Sequence, residues 1–132
     1  MHRIEKSDQE INEIIHRKIK EFNKPNWGEW EDFNYHIKDG SNVIAGIVAE
    51  SRHQTVEIEF LYVDDKYRKQ GLGKQLLDYL ETVAKRQGMT SILVNTYSFQ
   101  APDFYLKMGY ELLFKVEKAF GNIDQYYYRK KI

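Results

Sequence analysis

Apolar residues recur at helical spacing near the start of the chain. Isoleucines stand at positions 11, 14, 15 and 19, and Phe22 continues the same stripe. This period places them on one face of an α-helix, and Ser7 or Asp8 stands where an N-cap is expected. The pattern therefore predicts an amphipathic first helix that begins near Asp8.

After a loop or short helical turn predicted over residues 23–32, the pattern changes to short apolar and alternating runs. Such runs are typical of β-strands, and turn-forming pairs such as Asp39-Gly40 separate them. Strands are predicted over residues 33–37, 43–50, 55–63, 91–96, 110–117 and 125–130. The first three form an antiparallel meander, and the last two form a hairpin around a loop over residues 118–124.

Two further helices are predicted between these strands. The longer one covers residues 71–87, has apolar residues at helical spacing, and stops at Gly88, a typical left-handed cap. The shorter one covers residues 102–108. A meander, a crossover helix, a strand, a short helix and a hairpin predict an α+β fold with a mixed, mostly antiparallel central sheet.

Composition and charge argue against several classes of function. The 132 residues include 20 acidic and 20 basic side chains, so the formal net charge is zero. We therefore expect neither a nucleic acid nor an anionic membrane as a partner. No cysteine is present and the four histidines have no ligand-like spacing, so no metal site is expected. We expect a single domain over residues 1–132, without a signal peptide or membrane span, in the cytoplasm.

The most informative stretch, residues 67–74, lies between the third strand and the long helix. A strand, a glycine-rich turn and a helix N-terminus in that order form an anion site, because the first amides of the helix have no intrahelical partner. Gly71 and Gly73 remove the Cβ atoms that would keep a phosphate off the backbone. Arg68 and Lys74 add positive charge.

Two common nucleotide motifs do not match this loop. A mononucleotide P-loop needs a glycine five residues before Gly73 and a Ser or Thr at the position of Gln75. A dinucleotide motif needs a third glycine where Leu76 stands. The pattern that fits is Arg-x-x-Gly-x-Gly, formed by Arg68, Gly71 and Gly73.

A second motif follows about thirty residues later. Residues 101–110 read Ala-x-x-Phe-Tyr-x-Lys-x-Gly-Tyr, which suits a short helix and the turn into the next strand. The two motifs, in this order and at this separation, resemble the GNAT family of N-acetyltransferases over residues 43–117. One position departs from the family pattern, since many relatives carry Asn where Ser98 stands.

The resemblance implies a fold and a cosubstrate. Helices would lie on both faces of the sheet, and a V-shaped splay would separate the strands that the family counts as fourth and fifth, here ending at Val63 and Thr96. Acetyl-coenzyme A would bind in the splay, with its pantetheine arm along the free strand edge and its pyrophosphate in the glycine loop. The implied site consists of Leu61, Tyr62, Val63, Arg68, Lys69, Gln70, Gly71, Leu72, Gly73, Lys74, Ser98, Ala101, Phe104 and Lys107.

The resemblance also implies direct transfer of an acetyl group to an amine, which must first lose its proton. Strict alternation along the third strand places Glu57 and Glu59 on one face with Leu61 and Val63, and either carboxylate is a candidate base. A free backbone N–H near Val63 would polarise the thioester oxygen. Tyr105, matched to the family's tyrosine, is the candidate general acid, although a core position would also suit it.

Two aromatic segments have open roles. Trp27 and Trp30 lie among the acidic residues 29, 31 and 32. They either attract a cationic acceptor or combine core packing with a solvated acidic face. Within residues 126–128, three successive tyrosines must face alternate sides of a strand, so at least one belongs to the core.

Together these features predict an acetyl-coenzyme A-dependent N-acetyltransferase. Its acceptor would be a primary amine of a small molecule, a protein or a peptide. A non-catalytic acyl-coenzyme A binding or sensing domain is the alternative, and a structural or interaction module is a third. Relatives often form dimers, so a homodimer is a further expectation.

Overall fold

The computed structural model describes residues 1–132 and has six strands. Its helices and strands, in chain order, are α1 (Gln9–Trp27), β1 (Tyr35–Asp39), β2 (Asn42–Arg52), β3 (Thr55–Val63), α2 (Leu72–Arg86), β4 (Ser91–Tyr97), α3 (Asp103–Lys107), β5 (Glu111–Phe120) and β6 (Ile123–Lys131). Every predicted helix and strand is present. The final hairpin is longer than predicted, so the expected loop over residues 118–124 contracts to a tight turn at Gly121.

The strands form one sheet in the order β1-β2-β3-β4-β6-β5. The pair β3 and β4 is parallel, because α2 forms the crossover between them, and the other four pairs are antiparallel. This arrangement confirms the predicted α+β class and the mixed, mostly antiparallel sheet.

One face of the sheet is covered by α2 and α3. Leu77 and Leu80 of α2 are completely buried, and Tyr105 of α3 belongs to the same apolar cluster. The cluster also takes inward residues of β2, β3 and β4, such as Ile58. Burial of each large aliphatic side chain contributes about 1.5–3 kcal/mol, so this face supplies the core that fixes α2 against the sheet.

Helix α1 begins as predicted, but its apolar stripe is not buried. The Asp8 side chain accepts a hydrogen bond from the N–H of Ile11 at 2.9 Å and caps the helix. The helix continues to Trp27, through the first part of the segment predicted as a loop or short helical turn. None of its residues is buried, and Ile15 and Phe22 are 54% and 74% exposed. The apolar stripe is therefore present without a partner surface. No helix in the chain is long and apolar enough to cross a membrane.

Strand β3 contains a bulge at its centre. Ile58 and Phe60 are paired with adjacent residues of β2, which leaves Glu59 without a partner. The bulge shifts the alternation by one residue, so Leu61 and Val63 pack against the same core as Ile58. Sequence alternation alone could not reveal this shift.

Candidate active site

The sheet opens into a slot beyond the bulge. Strands β3 and β4 are paired only as far as Ile58 and Val94. Beyond that point β3 continues to Val63 paired with β2 alone, and β4 continues to Tyr97 paired with β6 alone. The predicted splay is therefore confirmed, and the two strands are the third and fourth of this chain.

Backbone groups of β3 face the slot. The N–H of Asp64 donates to the carbonyl of Ile44 in β2 at 2.8 Å. Because successive residues of a strand direct their peptide groups to opposite sides, those of Val63 and Leu61 point away from β2 and towards the slot. The Val63 carbonyl accepts a hydrogen bond from Arg68 Nε at 3.1 Å, and the Val63 N–H points to the same side of the strand.

The turn at the end of the slot gathers unpaired amides. None of the backbone N–H groups over residues 69–74 donates to a protein acceptor, and the first bond of α2 runs from the Gln75 N–H to the Gly71 carbonyl at 2.9 Å. Lys69 and Gly71 have positive φ values of 64° and 80°, and such turns make concave anion sites. The anion site predicted over residues 67–74, which we call the cradle, is thus present as a geometric feature.

The two glycines of the cradle have different structural roles. A Cβ at Gly71 would meet nothing within 4 Å, so the space above the loop is open. A Cβ at Gly73 would lie 3.5 Å from the Phe104 ring and 3.8 Å from Val63. Gly73 therefore marks where α2, α3 and β3 come close together, while Gly71 supplies the left-handed turn.

Cationic side chains around the cradle are held by weak surface pairs. Arg68 contacts Asp65 at 2.7 Å, and Lys74 contacts Asp78 at 2.6 Å. These pairs are more than half exposed, and such exposed pairs contribute only about 0–1 kcal/mol. An anionic ligand can therefore recruit both cations.

The second motif lies at the end of β4. Ser98 Oγ accepts a hydrogen bond from the N–H of Asp124 at 3.1 Å, which leaves its hydroxyl proton free to donate. Ala101 has a left-handed φ of 63° and precedes α3, on which Phe104 and Lys107 lie. The motif therefore builds the turn beside the slot.

The two candidate bases have different surroundings. Glu57 lies in the paired half of β3, and its Oε1 accepts from Arg52 Nη1 at 3.1 Å. Glu59 occupies the bulge, is exposed and has no ion pair. The prediction that both carboxylates share a face with Leu61 and Val63 is wrong, because the bulge turns those two apolar residues into the core.

Tyr105 is part of the core beside the slot. It is 6% exposed, and its ring meets the rings of Phe104 and Tyr110 edge-on at 5.2 and 5.6 Å. Burial, and then the neighbouring Tyr128, raise the pKa of Tyr105 to about 12. The phenol therefore stays protonated at neutral pH and is able to donate a hydrogen bond.

The tryptophan segment encloses a cation of the chain itself. The Arg52 guanidinium lies 5.1 Å from the Trp27 ring and 5.7 Å from the Trp30 ring. It also pairs with Glu50 at 2.8 Å, while its Nε is buried without a partner. Arg52 is not among the residues that the sequence predicts for a site, although opposite charges alternate across the β2–β3 hairpin and indicate such a pair. Arg52 lies against both indole rings, where one of the two open interpretations of this segment places a cationic acceptor.

The tyrosines of β6 alternate as predicted. Tyr128 is 1% exposed and lies in the core. Tyr127 faces the other side, where its ring stacks on Phe114 at 4.4 Å. Nowhere in the chain do three or more His, Asp or Glu side chains come together in a way that could hold a metal ion.

Comparison with known proteins identifies the family. Residues 1–110 match the model of the acetyltransferase (GNAT) family. The chain belongs to the GNAT acetyltransferase family. The splay and the cradle lie within or directly beside this matched region, so they are features of a GNAT domain.

Individual relatives agree with this assignment. The blasticidin-S acetyltransferase of Streptomyces morookaense is 33% identical over 79 residues, 59% of this chain and 58% of the relative. Across three curated relatives the match spans 37–58% of their length. A solved acetyltransferase from Bacillus cereus is 29% identical with a TM-score of 0.82, covering 99% of this chain and 98% of that one. A Bacillus anthracis acetyltransferase, solved with acetyl-coenzyme A, shares the fold at 24% identity and a TM-score of 0.66, covering 75% and 61%.

Proposed function

We propose that residues 1–132 form one N-acetyltransferase domain that transfers acetyl from acetyl-coenzyme A to a primary amine of a small molecule or peptide. The observation that carries this proposal is the run of unpaired N–H groups over residues 69–74 at the mouth of an open strand slot. The amides and the helix dipole suit a pyrophosphate, and the free edge of β3 suits the amides of a pantetheine arm. A small-molecule acceptor agrees with the name of the blasticidin-S relative.

In this proposal Glu59 removes the amine proton, directly or through water. An alkylammonium ion with a pKa of about 10.4 has almost no lone pair at neutral pH. Glu59 lies at the vertex of the slot, where the pairing of β3 with β4 ends, and forms no ion pair, whereas Glu57 pairs with Arg52. The amine nitrogen then bonds to the thioester carbon as the carbon–sulfur bond breaks, and the Val63 N–H stabilises the carbonyl oxygen.

Tyr105 would assist the departing sulfur. A phenol with a pKa of about 12 is a much weaker acid than a thiol near pKa 8.5, so complete proton transfer to the thiolate is uphill. We therefore assign Tyr105 a hydrogen bond to the sulfur. The nitrogen loses a second proton as the amide forms, so that one of the two released protons neutralises the thiolate and the other passes to solvent.

Amine-dependent release of coenzyme A tests the proposal. The chain has no cysteine, so a thiol reagent reports only the released coenzyme A, and mass spectrometry identifies the acetylated amine. Thiol release that requires both an amine and an intact cradle supports the proposal. Binding of acetyl-coenzyme A without transfer to any of a broad set of amines would instead favour a non-catalytic binding domain.

A further inference from the structure

Aromatic side chains line the slot on the face of the sheet opposite α2. They are Phe60 and Tyr62 of β3, Tyr97 of β4, Phe99 of the following turn and Phe120 of β5. We call these five residues the aromatic rim. Four of them are 53–69% exposed, which is unusual for large apolar rings, and contiguous exposed apolar surface marks binding sites.

The bulge places the β3 half of the rim on this face. Leu61 and Val63 pack into the core under α2. The alternate residues Phe60 and Tyr62 must then project from the opposite face, and they are 61% and 53% exposed.

The β4 half of the rim faces the same way. Val94 and Thr96 are buried, so Asn95 and Tyr97 project from the opposite face. The Phe99 ring stacks on Tyr97 with centroids 5.8 Å apart, and the Phe120 ring meets Tyr97 edge-on at 5.9 Å. These rings contact one another, and each keeps an exposed surface for a further ring.

Polar groups lie at the vertex between the two halves. Glu59 provides a carboxylate at the bulge, and the Asn95 side chain accepts a hydrogen bond from Gln125 at 3.2 Å. A carboxylate attracts an ammonium group, while the flanking rings offer stacking surfaces to a flat group. Tyr97 follows Asn95 by two positions along the strand, a rise of about 7 Å. An amine at the vertex would therefore reach the rim with its ring through a chain of two or three carbons.

We propose that the aromatic rim is the acceptor subsite and that it selects a primary amine joined by a short alkyl chain to an aromatic ring. The proposal rests on the proposed acetyltransferase function. It adds the chemical class of the acceptor and the residues that select it.

The experiment compares 2-phenylethylamine with 2-cyclohexylethylamine, which has the same carbon skeleton without the aromatic ring. We expect kcat/KM to favour the aromatic amine by about three- to tenfold, the size of one or two ring–ring contacts. Phe99→Leu and Phe60→Leu should each remove most of this preference through KM and leave acetyl-coenzyme A affinity unchanged. Tyr79→Leu is the matched control, since Tyr79 is 55% exposed on α2 and lies outside the rim.

Ligand-observed NMR with 2-phenylethylamine and coenzyme A tests the rim without turnover. Saturation transfer to the ring protons that is lost in Phe99→Leu and kept in Tyr79→Leu supports the proposal. Equal kcat/KM for the two amines, or no ring contact by NMR, would overturn the rim while leaving the acetyltransferase function intact. If the proposed function is wrong, the chain will bind no acetyl-coenzyme A and form no acetylated amine. In that case the NMR result alone decides whether the aromatic rim binds the amine.

Discussion

The two halves of strand β3 differ in what holds them. Residues 55–58 are paired on both sides, and their outward carboxylate, Glu57, is held by Arg52. Residues 60–63 are paired on one side only, and the unpaired Glu59 lies at the junction. One bulge thus divides a nine-residue strand into a half that stabilises the sheet and a half whose edge is free for a ligand.

This difference shows why two similar carboxylates two residues apart need not be equivalent. Glu57 forms an ion pair with Arg52, which lies against two indole rings. Glu59 forms no ion pair and lies beside the slot. The assignment of the base to Glu59 follows from that contrast.

The largest expected effect separates these two carboxylates. Glu59→Gln should lower kcat by about a hundredfold or more, because positioned general bases contribute about 10²–10⁴-fold. Glu57→Gln is the matched variant and should change kcat less than about threefold. Steady-state rates with saturating acetyl-coenzyme A measure both. The reverse pattern would move the base into the paired half and remove the contrast.

The next effect concerns Tyr105, which lies on α3 near the free half. Its pKa is raised from 10.0 to about 12, so the folded state favours the neutral phenol. This contributes stability that is complete below pH 10 and is lost as the pH rises through about 12, to a total of about 3 kcal/mol. Urea unfolding from pH 8 to 11.5 should show the part of this loss that falls below pH 11.5, and Tyr105→Phe should reduce the slope. An unchanged slope in the variant would show that Tyr105 is not among the groups that cause the loss.

Tyr105→Phe also tests the role of the Tyr105 hydroxyl in catalysis. Tyr105→Phe keeps the ring in the core and removes only the hydroxyl, so turnover should fall at least about tenfold, near the loss of one charge-assisted hydrogen bond. The dissociation constant of acetyl-coenzyme A should stay within about twofold of the wild-type value. Unchanged turnover would remove Tyr105 from the mechanism and leave it a core residue.

The smallest expected effect concerns Arg52, which pairs with Glu57 in the paired half of β3. Arg52→Met should lower the free energy of unfolding by about 1 kcal/mol, because it removes two cation–π contacts and two partly exposed ion pairs and also an unpartnered buried Nε. Thermal unfolding measures this loss. Turnover should stay within about threefold, and a tenfold fall would show that the Arg52–Glu57 pair serves catalysis.

The sequence predicted the fold where local rules decide it. Gly71, Gly88 and the Asp39-Gly40 turn mark the boundaries of helices and strands, and the three glycines have the expected positive φ values. The cradle followed from a strand, a turn and a helix N-terminus in order, and its unpaired amides are where the pattern placed them.

The remaining features depend on contacts between distant segments. The bulge at Glu59 arises from pairing with β2 and leaves no local signature in the sequence. The enclosure of Arg52 brings together α1, its following loop and the β2–β3 hairpin. The apolar stripe of α1 correctly predicted a helix, but periodicity alone does not say which surface, if any, covers it.

Thermal unfolding with acetyl-coenzyme A tests the central claim most directly, namely that the free half of β3 and the cradle form its binding site. Ligand at a hundred times its dissociation constant should add about 2.7 kcal/mol and raise the midpoint by several degrees. Gly71→Glu should abolish the rise by placing a carboxylate in the cradle. Gly88→Glu is the matched control, since Gly71 and Gly88 have φ values of 80° and 82° in equally open space at opposite ends of α2. A rise that disappears only in Gly71→Glu is the predicted result, and no rise in the wild-type chain, or an equal rise in both variants, would contradict the account.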